Sequence, residues 1–178
     1  MVRSNRSAVS LPAPLKGASL IRSLKQSHVE VVVALPDIVT CDAILWPITR
    51  DADFTLVPVC KEDEGVSICA ALSYCNRRAV LLMQHTGFLD SINAIRSIAM
   101  EYQMPIVMIV GLQGMEPDRA PLDSDRLGIR ILQPICSAMG LSCKVLTADS
   151  HAALVSESID WAYENSQPTA LLIATTPE

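Results

Sequence analysis

Apolar and polar positions fall along the chain in blocks that switch between the helical and the strand period. From Gly17 to Ser27 the apolar residues Leu20, Ile21 and Leu24 recur at helical spacing, and Val29 to Leu35 is a β-branched run stopped by Pro36-Asp37, which predicts helix, strand and turn. Asp37 can cap a helix through Leu45; Phe54 to Val59 reads as a second strand and Glu64 to Tyr74 as a helix. Arg78 to Gln84 is a third strand, apolar on both faces as a central parallel strand is. After it, a polar turn at His85-Thr86-Gly87 leads into a helix from Leu89 to Tyr102, and Pro105 to Val110 forms a fourth strand that ends at Gly111-Leu112-Gln113-Gly114. Met115 to Asp125 is a polar loop, Pro134 suits the first turn of a helix through Met139, Ser142 to Leu146 is a fifth strand, Ser150 to Glu164 a helix, and Thr169 to Ala174 a sixth strand.

This alternation predicts a three-layer α/β architecture, a six-stranded and mainly parallel sheet with helices on both faces, joined by right-handed crossovers. Ligands in such sheets lie outside the carboxyl ends of the strands. The segments expected there are Pro36-Asp37, Lys61 to Gly65, Gln84 to Gly87, Gly111 to Gly114 and Thr147 to His151, which hold most of the unusual polar residues.

A length of 178 residues fits one domain, expected over 17–178 after a disordered tail at 1–16 that carries Arg3, Arg6, Lys16 and two prolines but no apolar signal core. Apolar residues make up 50% of the chain and aromatics 4%, so the core is expected to be aliphatic. A net charge of −5 argues against nucleic acid or an anionic membrane surface as partner, and no apolar run is long enough to span a bilayer. The six cysteines contain no C-x-x-C pair and mostly sit in apolar segments, as buried free thiols of a cytoplasmic protein would.

Several chemistries lack their motifs. There is no G-x-G-x-x-G after the first strand, no G-x-x-x-x-G-K-[ST] and no G-x-S-x-G. Asp149-Ser150-His151 contains triad residue types, but neighbours in sequence cannot face one another across a site, and a helix cap is the simpler reading. His28, His85 and His151 are far apart without ligand-spaced partners, so no metal site is expected from this chain alone; His28 reads as a surface residue, and His85, beside a central strand, is the site candidate. The triplet Glu62-Asp63-Glu64 opens a helix whose body is rich in Gly, Ala, Ser and Cys. Acids there are stabilised by free amides and the helix dipole, and only one is expected to turn inward.

Read together, Leu35-Pro36-Asp37, Glu62-Asp63-Glu64-Gly65-Val66, Leu82-Met83-Gln84-His85-Thr86-Gly87, Ser91-Ile92-Asn93-Ala94, Tyr102, Pro105-Ile106-Val107 and Gly111 resemble, in order and spacing, the pyrimidine-binding domain of thiamine-diphosphate enzymes. Within that superfamily the chain is most similar to the alpha subunit of sulfopyruvate decarboxylase and the matching half of phosphonopyruvate decarboxylase, over roughly Val29 to Leu146. The resemblance implies the thiamine-diphosphate-binding fold. It also implies that Glu64, the glutamate just before the glycine, binds N1′ of the cofactor's aminopyrimidine and so promotes the imino form of its 4′-amino group. On the same ground Gln84, Thr86 and Gly87 join Glu64 in cofactor binding, His85 joins it in catalysis, and Asp37, His85 and Gln113 meet the substrate; Glu62 and Asp63 are left as solvated cap residues.

The chain departs from the family at two points. Where the family turn commonly reads Gln-Asn-Ser-Gly-Leu-Gly-Asn, this sequence has Gln84-His85-Thr86-Gly87-Phe88-Leu89-Asp90, so His85 either supplies a proton or hydrogen bond to an acidic substrate or only shapes the loop. The Gly-Asp-Gly motif that holds Mg²⁺ and the diphosphate is missing. The resemblance therefore implies a beta subunit that carries the diphosphate-binding domain and the Mg²⁺, and together with it a decarboxylase acting on a small 2-oxo acid, sulfopyruvate-like or phosphonopyruvate-like. Carboligation by the same site, and a non-catalytic assembly or regulatory subunit, remain open alternatives. Alone, the chain is expected to expose apolar surface and to form homo-oligomers or aggregates.

Overall fold

The computed structural model describes residues 12–178. Its centre is a six-stranded sheet: β1 Val31–Ala34, β2 Thr55–Pro58, β3 Ala79–Gln84, β4 Val107–Gly111, β5 Ser142–Leu146 and β6 Thr169–Ile173. The strand order is β2-β1-β3-β4-β6-β5, and all five pairings are parallel. The helices are α1 Gly17–Gln26, α2 Trp46–Ile48 (preceded by a π-wound turn Cys41–Leu45), α3 Glu62–Tyr74, α4 His85–Asp90, α5 Ile92–Ala94 (continued by a π-wound segment Ile95–Met100), α6 Leu127–Arg130, α7 Leu132–Met139 and α8 Ala153–Asn165.

Successive strand side chains point to opposite faces, so each central strand supplies two cores. Val31, Val33, Leu81, Met83, Met108 and Val110 pack with Val66 and Cys69 of α3, Phe88 of α4 and Cys136 of α7. Val32, Ala34, Val80, Leu82, Ile109 and Leu171 pack on the other face with Leu20 and Leu24 of α1, Ile48 of α2 and Val155 and Ile159 of α8. That is the expected three-layer arrangement, and full burial of each such aliphatic side chain contributes about 1.5–3 kcal/mol. Gly65 lets α3 lie close on the sheet, since a Cβ there would come within 2.5 Å of Leu81 Cδ1.

Several details differ from the sequence expectation. His85-Thr86-Gly87 is not a turn but the first turn of α4, entered straight from extended Gln84. The helix expected from Leu89 to Tyr102 is broken at Ser91 and ends in π winding. The Met115 to Asp125 loop contains a 3-10 turn at Pro121–Asp123, and α6 follows it unannounced. Cys60 and Cys75 are exposed rather than buried, whereas burial pushes the Cys69 thiol up to about 12.

Of the segment 1–16 expected to be disordered, residues 1–11 lie outside the described part; of residues 12–16 Leu15 is buried and the others are exposed. Leu15 is fully buried, Asp149 N donates to Ala13 O at 3.0 Å, Glu178 N to Leu15 O at 2.9 Å and Gly17 N to Glu178 O at 2.9 Å. The two ends of the described chain are thereby clasped together beside α1.

Candidate active site

The connections leaving β1 and β3 run in opposite directions, β1 toward edge strand β2 and β3 toward β4, which opens a crevice at their carboxyl ends. The register places Gln84 opposite Gly111, so the segments after β1, β3 and β4 meet there.

Asp37 sits at that crevice but is only 4% exposed. Its Oδ1 accepts from the amides of Val39 (2.8 Å) and Thr40 (3.2 Å), and Oδ2 accepts from the Thr40 hydroxyl. The carboxylate also faces Gly111, where an added Cβ would come within 2.7 Å of Oδ1. Both oxygens are engaged in holding the loop into Cys41–Leu45, so the role visible for Asp37 is to shape the crevice wall.

His85 opens α4 and is 8% exposed. Asp37, Gly111 and Arg126 surround it closely enough to affect its titration, and Gly128 of α6 lies against the ring, an added Cβ there meeting Nε2 at 3.5 Å. Its Nδ1 is buried without a hydrogen-bond partner. Burial lowers the pKa of this imidazole and the positive charge of Arg126 acts the same way, against a smaller upward pull from the Gly111 backbone and Asp37, so His85 is favoured in its neutral form. Gln84 Nε2 donates to Gln113 Oε1 at 2.5 Å, tying the end of β3 to the loop after β4.

The acid triplet divides into three roles. Glu64 is exposed on the first turn of α3; its Oε2 accepts from the amides of Cys60 (3.2 Å) and Lys61 (3.3 Å), which leaves Oε1 without a partner among the described residues. Asp63 Oδ1 accepts from Glu64 N at 2.9 Å. Glu62 is half-buried, with its carboxylate directly against Gly87, where any Cβ would collide with it. The acid turned inward within this chain is therefore Glu62, and Glu64 points outward. The same corner is tied by Lys61 Nζ to Asp90 Oδ2 at 3.3 Å. Thr86 is exposed beside buried Gly87.

A cleft of about 550 Å³ opens at the carboxyl ends of β1, β4 and β6, lined in part by Ile38, Val39, Leu112, Gln113, Met115 and Thr175. Of the residues singled out in the sequence only Gln113 lines it; Glu64 and His85 do not. Gly114, also in its wall, has φ +77°, and the guanidinium of Arg126 lies on it, 2.7 Å from where a Cβ would stand. Arg126 and Glu62 are the residues that sequence reasoning missed. Arg126 stood in a polar loop with no periodicity, and the only signal for it was a pair of nearby glycines, Gly114 and Gly128.

The other polar clusters are local. His151 Nδ1 accepts from Thr147 N at 3.2 Å and Asp149 Oδ1 from Lys16 N at 3.2 Å, while His28 is exposed with φ 54°. Among the described residues no group of three or more His, Cys, Asp or Glu is placed to hold a metal ion, and no helix is long and apolar enough to cross a membrane. Among the described residues Tyr74, Tyr102, Ile38 and Leu127 are the most exposed large hydrophobic residues, each more than 60% exposed.

No family model matches the chain. Over 156 residues it is 26% identical to sulfopyruvate decarboxylase subunit alpha of Methanocaldococcus jannaschii, an alignment covering 86% of this chain and 90% of that subunit. It is 31% identical over 96 residues to the same subunit of Methanococcus maripaludis, covering 54% of this chain and 57% of the relative. With sulfopyruvate decarboxylase of Methanosarcina acetivorans the identity is 26% over 161 residues, 87% of this chain and 39% of the relative. The chain thus spans little more than half the length of one of these relatives and well under half of another. Among solved structures, 2-oxoglutarate:ferredoxin oxidoreductase from Magnetococcus marinus, determined with 2-oxoglutarate, coenzyme A and succinyl-CoA bound, superposes with a TM-score of 0.65 at 9% identity, covering 97% of this chain and 32% of that one. The chain resembles the alpha subunit of sulfopyruvate decarboxylase over most of its length, on a three-layer α/β fold shared with that oxidoreductase.

Proposed function

We propose that this chain is the alpha, pyrimidine-binding subunit of a heteromeric, thiamine-diphosphate-dependent decarboxylase that converts a 2-oxo acid of the sulfopyruvate or phosphonopyruvate type into an aldehyde and CO2. The observation that carries the reading is Glu64: an exposed carboxylate at the carboxyl edge of the sheet, fixed through one oxygen by two backbone amides with the other free, in a chain similar to sulfopyruvate decarboxylase subunits. That free oxygen fits a ring nitrogen presented from outside the chain. Among the described residues no three ligand-type side chains converge, so the residues present do not fit Mg²⁺ and a diphosphate, and the reading assigns both to a diphosphate-binding partner. Thiamine diphosphate, when bound, supplies the electron sink for the carbanion left by departing CO2.

The chain's own residues then have separable tasks. Glu64 holds the cofactor's pyrimidine ring at its nitrogen. Thr86 and Gly87 form the turn beside it, and Glu62 keeps that turn in place. Gln84 and Gln113 link the turn to the cleft. His85 borders the crevice and is the residue we assign to a proton or hydrogen bond with the substrate; its Nδ1 is buried within the chain without a partner among the described residues. Asp37 sets the crevice wall.

The test is reconstitution of the chain with a candidate diphosphate-binding subunit, Mg²⁺ and thiamine diphosphate, following CO2 release from 3-sulfopyruvate. Release is expected only with both chains present, and Glu64→Gln is expected to lower it by at least about 100-fold. Undiminished turnover in that variant would remove Glu64 from the chemistry. Analysis of the organic product separates aldehyde release from carboligation.

A further inference from the structure

Two of the cysteines meet across a tight turn. Cys136 is fully buried on α7, Cys143 is half-buried on β5 against the same core, and the Cys143 thiol donates a hydrogen bond to Cys136 Sγ. The connection between them is short and fixed. α7 ends at Gly140, whose left-handed φ of 71° turns the chain, and the Leu141 amide donates back to Cys136 O at 2.9 Å before β5 begins at Ser142. The other thiols have no such arrangement. Cys60 and Cys75 are exposed, but they flank α3, whose 13 residues span about 20 Å, far beyond the roughly 7 Å between Cα atoms that a disulfide can bridge.

The pair can be reached from one side. A hollow of about 470 Å³ opens over the turn, lined by Leu122, Gln133, Pro134, Ser137, Leu141 and Cys143 itself, whereas Cys136 has no exposed surface. A small molecule in the hollow therefore meets Cys143 first. The hydrogen bond also divides the two thiols chemically: the proton offered by Cys143 makes Cys136 easier to ionise, while Cys143 is held well above the ordinary thiol range, by that bond first and by burial second. Since the thiolate is the reactive form of a cysteine, Cys136 is placed to receive the proton that Cys143 must lose when it attacks.

We propose that Cys136 and Cys143 are an oxidisable dithiol, which a hydroperoxide entering this hollow converts into an intramolecular disulfide. Cys143 Sγ attacks one peroxide oxygen as its proton passes to ionised Cys136; the O–O bond breaks, hydroxide leaves, and Cys143 carries a sulfenic acid. Cys136 Sγ then attacks the Cys143 sulfur. The S–S bond forms, the S–O bond breaks, and a second hydroxide leaves with the Cys136 proton as water. Each sulfur gives up one electron and the peroxide takes up two. A small thiol reverses the reaction by exchange. The bond ties β5, an edge strand of the sheet, to α7, and the inference stands independently of the decarboxylase reading.

Peptide mass spectrometry decides it. The reduced full chain is treated with hydrogen peroxide, remaining thiols are alkylated, and the tryptic peptide Ile131–Lys144, which holds both cysteines, is measured. The expected peptide is lighter by two hydrogens than its reduced form and closed to alkylation until dithiothreitol is added. Cys136→Ser should leave Cys143 as a sulfenic acid that dimedone traps. Cys143→Ser should slow oxidation of Cys136 by at least about 10-fold, because the sulfur that meets the oxidant is gone. If circular dichroism shows the Cys136→Ser chain unfolded, Cys136→Ala, which keeps the buried position apolar, takes its place. Three results would overturn the proposal: a doubly alkylated peptide at a peroxide dose that oxidises exposed Cys60 and Cys75, a disulfide from Cys136 or Cys143 to any other cysteine, or a Cys143→Ser chain in which Cys136 oxidises at the wild-type rate.

Discussion

The carboxylate of Glu62 rests directly on Gly87, so that no side chain of any size fits at position 87 while Glu62 stays where it is. The contact joins the first turn of α3 to the first turn of α4, and the Lys61–Asp90 pair at 3.3 Å closes the same corner. Gly87→Ala should therefore destabilise the fold by about 1–3 kcal/mol through overpacking, even though alanine is the better helix former. Combining it with Glu62→Ala should recover part of the loss. Urea denaturation of the two single variants and the double variant would show coupling, and additive effects would mean that the contact carries no energy.

Glu64 has a structural task beside the catalytic one proposed for it. By accepting from the Cys60 and Lys61 amides it satisfies donors at the start of α3. Glu64→Ala should cost about 0.5–2 kcal/mol of stability, whereas Glu64→Gln keeps an acceptor oxygen and should stay within about 0.5 kcal/mol of wild type. Stability by denaturation and CO2 release in the reconstituted complex should then diverge: the Gln variant stable and inactive, the Ala variant impaired in both.

Asp37 is predicted to behave as a structural residue. Removing its side chain in Asp37→Ala strands the buried amides of Val39 and Thr40 and the Thr40 hydroxyl, at a cost of about 2–4 kcal/mol. Asp37→Asn, which keeps one acceptor oxygen, should fall between. A thermal or urea unfolding series would establish the order, and an Asp37→Ala variant as stable as wild type would refute it.

His85 gives stability a pH dependence of known sign. Its pKa in the folded chain lies below the ordinary value of 6.5, chiefly through burial, so between the two values the unfolded chain binds the proton and the folded chain resists it. The contribution is complete above about pH 6.5 and is lost as the pH falls toward the folded-state pKa, with a slope of at most about 1.4 kcal/mol per pH unit for a single proton. Denaturation midpoints measured between pH 5 and 8 should fall on the acid side in the wild type. His85→Gln should flatten that fall.

The layered fold was legible because parallel strands buried on both faces write continuous aliphatic runs. Ser142 to Leu146 is a strand with the bounds its sequence suggests, and Arg78 to Gln84 loses only its first residue. What failed was anything that periodicity does not encode. Gly87 looked like a turn residue, yet it sits inside a helix, with the Glu62 carboxylate filling the space where a side chain would be. The π windings at Cys41–Leu45 and Ile95–Met100 change the helical phase, and no local propensity announces them. Within the acid triplet, composition could not tell which carboxylate turns toward the chain and which away; that choice belongs to the packing of α3 against α4. Arg126 was invisible for a related reason, since its meaning comes from resting on Gly114, twelve residues earlier.

The clasp beside α1 has a bearing on how the molecule is made. Leu15 and Glu178 come from opposite ends of the described chain, so their pairing closes almost the whole length of it into one loop, among the costliest closures in entropy that the fold contains. On a ribosome the sheet strands emerge in order, but this clasp cannot form until the segment around Glu178 has left the exit tunnel. Until then Leu15, fully buried in the finished molecule, stays in water, together with whatever surface of α1 and the Asp149 turn it later covers. A nascent chain stalled before that point should be cleaved readily near Ala13 to Lys16 by an added protease, and the released chain should not.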